Sequence, residues 1–230
     1  TLQLGCSTKA FSEGLLEKLG PWSRLIIIEP SKPLLESTRI NVGSKATGKA
    51  FFKSDMNWGK LPFDDGVFQT IVSVLFWDRS PNRFRMFEEM SRVLALSGMA
   101  LLIAYLKDSA REFFDFYSEV ITQFDMAHLV QPLQTVRNMF LSKSDYQVLA
   151  EECGFTISKI HELPFKMEYD SSRELFASPL FLSQWLPLFE KVAGKESDRI
   201  FWHIRQTMDR YYSGRKVPLT MVGGLIVAIK

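Results

Sequence analysis

The residues best suited to chemistry lie in one loop and two carboxylates near the start of the chain. Leu2-Gln3-Leu4 runs into Gly5-Cys6-Ser7-Thr8-Lys9-Ala10, and a short helix later Leu25-Ile26-Ile27-Ile28 ends at Glu29-Pro30. A strand that enters a small-residue loop and a helix, followed by a second apolar strand ending in a carboxylate, builds a nucleotide-type pocket at the strand tips. Backbone must approach such a ligand where side chains are small, and a carboxylate can accept both hydroxyls of a diol. Glu29 has the position for that role; the plainer alternative is a strand-end carboxylate at the surface. Asp55, after Ser54, is a second candidate whose alternative is an ordinary turn residue.

The loop keeps only Gly5, with Ser7 and Lys9 where a close-approach loop would carry further glycines. Positive φ at either position would strain a residue with a Cβ. Lys9 also brings a cation to a helix N-terminus, which the dipole disfavours unless an anion is bound. Other reactive types are scattered. Cys6 and Cys153 sit in apolar sequence and form neither a disulfide framework nor a zinc spacing, and no histidine is placed by sequence to activate Cys6. His128, His161 and His203 have no ligand spacing, so no metal is expected; His128 alone, in an aromatic segment, is a candidate general base against the simpler reading of an exposed helix residue.

The elements that position these residues alternate. Strands are expected at Leu2–Leu4, Leu25–Ile28, 50–53, 70–75 and 99–105, with helices at 11–19, from a Ser31 cap to about residue 40, and from a Ser80 cap with Pro81 at the first helical position through Leu94. This order predicts an α/β fold with a doubly wound parallel sheet. Ser97-Gly98 reads as a turn. The second half is aromatic and helical over 109–141, then Ser144 to Gln147 reads as a capping box for a helix ending at Cys153-Gly154. Strands follow at 155–160 and 221–229, separated by a 164–219 insertion that is helical over 183–212 with a break near Gly194. An insertion of that length is expected to be a lid or a binding surface.

Composition narrows the classes. The 230 residues with 46% hydrophobic content suit one sizeable domain, and a net charge of +2 from interspersed charges carries no nucleic-acid footprint. No run has the length of a membrane span, so no membrane partner is indicated, and two isolated cysteines fit a reducing cytoplasm. The chain starts at Thr1 directly in a strand without an initiator methionine or signal peptide, which suggests residues upstream.

Taken in order, several blocks resemble the class I S-adenosylmethionine-dependent methyltransferases, especially the small-molecule and acyl-substrate branch of the ubiquinone and biotin pathway enzymes. Leu61-Pro62-Phe63-Asp64-Asp65-Gly66-Val67-Phe68-Gln69-Thr70-Ile71 is similar to that branch's LPF-x-D-x-x-F-D-x-V block, Arg92 to Gly98 to its RVLKPGG turn, and Ala150 to Phe155 to its L-x-x-A-G-F. The resemblance implies a Rossmann-like seven-stranded sheet, mostly parallel with the last strand antiparallel, and helical lid segments at 108–143 and 164–219 added to a cofactor-binding half at 1–107.

It also implies S-adenosylmethionine as cofactor. Gly5, Cys6 and Ser7 would wrap its methionine part, Glu29 beside Pro30 would take the ribose hydroxyls, Asp55 and the backbone of Met56 would meet the adenine, and Ser73 and Val74 would line the pocket. Gln3, Ser7, Lys9, Gln69 and Met99 depart from the family pattern. The implied activity is methyl transfer to a small-molecule or acyl-chain substrate; the rival is a catalytically inactive binding or scaffold protein of the same fold, which would work through a protein partner. No catalytic residue is implied.

Overall fold

The computed structural model describes residues 1–6, 9–43, 48–55, 57, 59–76 and 82–230. Ser7, Met56 and the Ser80-Pro81 pair lie outside the described residues, as does the side chain of Lys9. Strands β1 (Leu2–Leu4), β2 (Leu25–Ile28), β3 (Ala50–Lys53), β4 (Phe68–Val74), β5 (Leu94–Tyr105), β6 (Thr156–Tyr169) and β7 (Val217–Ile229) form one sheet in the order β3-β2-β1-β4-β5-β7-β6. The first five pair in parallel, and the β5-β7-β6 side is antiparallel.

β1 is central, with Leu2 in register with Ile26 on one side and Ile71 on the other. Its leucines and the isoleucines Ile27 and Ile28 of β2 are fully buried, as expected for strands covered on both faces. Because the chain leaves β1 toward β2 and later returns to add β4 on the opposite side, the order reverses at β1. Open α/β sheets bind ligands at such a switch point, beyond the carboxyl ends of the strands.

The chain divides into two compact units. Unit 1 comprises residues 1–104, 143–162 and 224–230 and contains helices α1 (Lys9–Lys18), α2 (Lys32–Val42) and α3 (Arg83–Val93). Within it, Leu16, Leu25, Ile27, Leu35 and Val42 form one apolar layer. Unit 2 comprises residues 105–142 and 163–223 and contains α4 (Arg111–Gln123) and α5 (Val130–Arg137). Helix α6 (Lys143–Glu152) returns to unit 1, whereas α7 (Ser172–Ala177), a π-helical turn at Phe181–Trp185, α8 (Leu186–Ala193) and α9 (Ser197–Tyr211) belong to unit 2.

Several expected boundaries move. Helix α3 is capped by Asn82, whose side chain accepts the Arg85 N–H at 2.9 Å, so the cap is not Ser80. Helix α6 begins at Lys143, which puts Ser144 inside its first turn instead of at the cap. Its other end is as expected: Gly154 adopts φ +79°, the Phe155 N–H reaches the Ala150 carbonyl at 2.9 Å and the Gly154 N–H the Glu151 carbonyl at 3.1 Å, a Schellman closure.

The helical 109–141 stretch breaks at left-handed Asp125 and a 3₁₀ turn, Ala127–Leu129. The Ser97-Gly98 turn does not precede β5 but bulges out of it, because Phe68 pairs with Leu94 while Thr70 already pairs with Met99. Strand β6 continues through Pro164 to Tyr169, which shortens the insertion. Proline is tolerated there because β6 is an edge strand with no ladder partner on its outer side. The break at Gly194 is present, with φ +55°.

Candidate functional site

The tips of β1, β2 and β3 are joined through Glu29. Its Oε2 accepts the backbone N–H of Cys6 and its Oε1 that of Ser31, both at 2.9 Å, while its own N–H donates to the Lys53 carbonyl at 3.0 Å. The Gly5 N–H donates to the Ile28 carbonyl at 2.8 Å, continuing the β1–β2 ladder into the loop. Glu29 is only 4% exposed and pairs with no cation among the described residues. A buried carboxylate needs compensation, and two N–H groups use only half of its four acceptor directions. What remains suits the hydroxyls of a neutral polyol such as a ribose.

Gly5 is required twice over. Its φ is +83°, and a Cβ there would lie 2.3 Å from the Phe76 ring. The ring therefore packs directly on the loop backbone. Leu75, just before Phe76 and just past β4, takes φ +50°, a strained conformation for leucine at the end of the central strands.

Gln3 is buried and fully engaged: its Nε2 donates to the Gly5 carbonyl at 3.0 Å and meets Ser12 Oγ at 3.1 Å. A carboxylate in its place could not donate to that carbonyl. Ser12 on α1 is buried as well, so Gln3 ties the loop to the helix that follows it.

The remaining candidates spread around these tips. Cys6 is half-buried against the apolar layer; burial raises its thiol pKa, with a hydrogen bond from Thr38 acting in the opposite direction and the Glu29 charge adding to the rise. That is the state of an inert thiol. Ser73 is fully buried opposite Leu4 in the ladder, and Val74 is half-buried. Pro30 and Asp55 are exposed, and Asp55 makes no hydrogen bond or ion pair among the described residues. Gly5, Cys6, Glu29 and Ser73 are thus brought to the switch point, with Asp55 at its margin.

A second polar cluster was not anticipated. Arg92, in the block similar to RVLKPGG, donates from Nη2 to the Leu61 carbonyl at 3.0 Å, from Nη1 to the Phe63 carbonyl at 2.8 Å and to Asp65 at 2.7 Å. It also forks onto Glu89 at 2.7 and 2.9 Å, and Glu89 in turn accepts the Leu61 N–H at 2.7 Å. The LPF block and the RVL block are therefore one structure. Burial pushes the Glu89 pKa up, but the Arg92 hydrogen bonds, the Leu61 N–H and the charges of Arg92 and Arg85 outweigh it and hold the carboxyl below its ordinary value. The spacing Glu89-x-x-Arg92 on an expected helix was the signal available in the sequence.

Gly98 completes that block. A Cβ on it would stand 2.7 Å from the Ala95 carbonyl oxygen, and Ser97 beside it takes φ +61°. Both flank Lys230, which accepts from Ser97 and donates to the Gly98 carbonyl.

His128 is exposed on its 3₁₀ turn, with Nε2 3.0 Å from Glu196. Burial pushes the Cys153 thiol up to about 11. Among the described residues no group of His, Cys, Asp and Glu side chains has the arrangement of a metal site, and no helix is long and apolar enough to cross a membrane. In unit 2, Phe113, Tyr117, Phe181, Trp185 and Phe189 pack on one another, with ring centroids 4.4 Å apart for Phe113 and Phe189. These aromatics form a core; Trp202 is instead 57% exposed.

Residues 2–102, from β1 into β5, match the family described as a methyltransferase domain. That match spans 101 of the 230 residues, so the likeness is to a methyltransferase domain over the first part of the chain. Solved structures share the fold over the whole of this chain. A proposed methyltransferase from Bacillus halodurans C-125 is 14% identical with a TM-score of 0.65, covering 100% of this chain and 91% of that one. The YcgJ protein from Bacillus subtilis is 15% identical with a TM-score of 0.60, covering 100% and 90%. The [4+2]-cyclase SpnF is 14% identical with a TM-score of 0.57, covering 100% and 73%. A sequence search of curated proteins finds no significant match.

Proposed function

We propose that this chain binds S-adenosylmethionine at the tips of β1, β2 and β4 and transfers its methyl group to a small-molecule or acyl-chain substrate. The observation that carries the reading is Glu29: a buried carboxylate with no counter-cation among the described residues, held by two backbone N–H groups between two strand tips. Glu29, beside Pro30, would take the ribose hydroxyls. Gly5, Cys6 and Ser7 would follow the methionine part, Asp55 and Met56 the adenine, and Ser73 with Val74 would close the inner wall. We assign cofactor binding to residues 1–107 and a cytoplasmic setting to the protein.

The cofactor, when bound, supplies a sulfonium methyl. That methyl would be open to displacement by an acceptor lone pair, with the carbon–sulfur electrons returning to a neutral thioether and the acceptor's proton passing to solvent. Alignment and exclusion of water are sufficient for such a displacement. The chain's part is then to fix the ribose through Glu29 and to hold the loop rigid through Gln3 and Ser12.

A second reading, a catalytically inactive protein of this fold that binds or scaffolds a partner, is favoured by Gln3. Its amide is committed to Gly5 and Ser12, at the position where the family resemblance expects an acid for the cofactor's amino group. The likeness to SpnF, named as a [4+2]-cyclase, also allows this fold a chemistry other than methyl transfer. Calorimetric titration with S-adenosylmethionine and S-adenosylhomocysteine separates the two. A dissociation constant in the micromolar range, about 8 kcal/mol, supports the enzyme. A folded chain that gives neither heat nor a thermal shift supports the binding protein.

A further inference from the structure

The helical unit carries a charged groove that the reading above does not use. Lys107, Arg111 and Arg137 line it together with Phe114 and Phe140, in a cavity of about 410 Å³. That volume lies in the range of small-ligand pockets.

Two of its cations, Arg137 and Arg111, are each ion-paired with one carboxylate, and Lys107 has no ion pair among the described residues. The Arg137 guanidinium lies 5.1 Å over the Phe114 ring and donates from Nη2 to Asp115 at 2.9 Å, which leaves its Nη1 and Nε without a partner among the described residues. Lys107 is fixed by its backbone N–H, which donates to the Leu141 carbonyl at 3.0 Å, while its ammonium pairs with nothing among the described residues. Arg111 opens α4. The nearby Glu112, 3.6 Å from Arg111 Nε, does not line the groove, and its two oxygens accept from the backbone and hydroxyl of Thr220.

The groove walls are also rigid. Asp108 and Ala110 take φ +70° and +55°, and the segment is pinned by Ala110 N–H to the Thr220 carbonyl at 2.7 Å and by Ser109 Oγ to the Val222 backbone. Charges count in the choice of ligand: with Arg137 paired to Asp115 and Arg111 to Glu112, Lys107 is the one lining cation without an ion pair among the described residues, a surplus of one unpaired positive charge. A monoanion neutralises that surplus, whereas a doubly charged phosphate reverses it. Phe114 and Phe140 supply an apolar wall beside the charges.

We infer that this groove binds a monocarboxylate attached to an apolar body. The inference stands apart from methyl transfer, because binding is read without any cofactor. The test is calorimetric titration of the whole chain with 4-phenylbutyrate, its neutral amide and phenyl phosphate, repeated on Lys107→Gln and Arg137→Gln. The acid should bind about tenfold more tightly than the amide and more tightly than the phosphate, and each variant should weaken the acid by about tenfold, the effect of losing one hydrogen bond to a charged group. If Arg137→Gln fails to fold, as judged by circular dichroism, the exposed Lys107→Gln carries the test alone. Equal affinity for acid and amide, tighter binding of phenyl phosphate, or an unchanged Lys107→Gln would overturn the assignment.

Discussion

Unit 1 buries two glutamates, and they are stabilised by opposite means. Glu89, 2% exposed, meets a full guanidinium fork and a backbone N–H, so its charge is cancelled inside the protein. Glu29, nearly as buried, meets two backbone N–H groups and no cation among the described residues. One carboxylate is internally complete and acts as a staple; the other meets no cation among the described residues and keeps part of its acceptor capacity. Burial and carboxylate chemistry are the same at both positions, so what separates a structural acid from a candidate binding acid here is the partner set.

The comparison breaks most visibly at Arg92. Arg92→Ala leaves Glu89 charged and buried, and should cost about 3–5 kcal/mol of stability, read as a lowered urea midpoint at pH 7. The pH dependence follows the same pair. The folded Glu89 has a pKa below its unfolded value of about 4.3, so its contribution is present above that pH and lost as pH falls through the folded value. Wild type should therefore lose stability on acidification more steeply than Arg92→Ala, and equal slopes would refute the assignment.

Gly5→Ala comes next. It combines a left-handed φ with a Cβ 2.3 Å from Phe76, and about 3 kcal/mol of destabilisation is expected in the same assay. Glu29→Gln sharpens the contrast from the other side. It should weaken S-adenosylhomocysteine by about 2 kcal/mol, or roughly thirtyfold, through loss of the charged acceptor. The corresponding change at Glu89 should act on stability instead, and a Glu29→Gln chain that binds normally would make Glu29 a second staple. The smallest effect belongs to Asn82→Ala, which removes the cap of the helix bearing Glu89 and Arg92. About 1 kcal/mol should be lost by thermal unfolding, with the acid slope retained.

Much of this arrangement was legible in the sequence because it is local. The branched run Leu25–Ile28 specifies a buried strand, Glu29 follows it, and Cys153-Gly154-Phe155 closes a helix as a glycine in the left-handed region must. What was not legible depends on residues far apart in the chain. The start of β5 was missed because Ser97-Gly98 is a turn in conformation yet a bulge in pairing, a fact that only the β4 register reveals. The insertion was expected to begin at Pro164, a residue that the edge position of β6 allows inside a strand. Within the site, Gln3 reads as a lost acid in sequence and as a loop tie in space, and the use of Glu29 to hold Cys6 across 23 residues has no local signature. The Arg92 staple needed both sequence blocks to be seen in contact.

The sheet order has a consequence for how the chain assembles. Strand β7 lies between β5 and β6, although it follows β6 in the chain. During synthesis β6 therefore emerges without a neighbour to pair with, and the flank of β5 stays open until β7 arrives. The Arg92–Leu61 contact closes 31 residues, whereas the Ser109–Val222 contact that anchors β7 closes 113. The longer closure costs only about 1 kcal/mol more in chain entropy, so the delay is one of order and not of stability. In that interval two hydrogen-bonding edges are exposed at once, which makes the nascent chain most vulnerable to mispairing just before its sheet is finished.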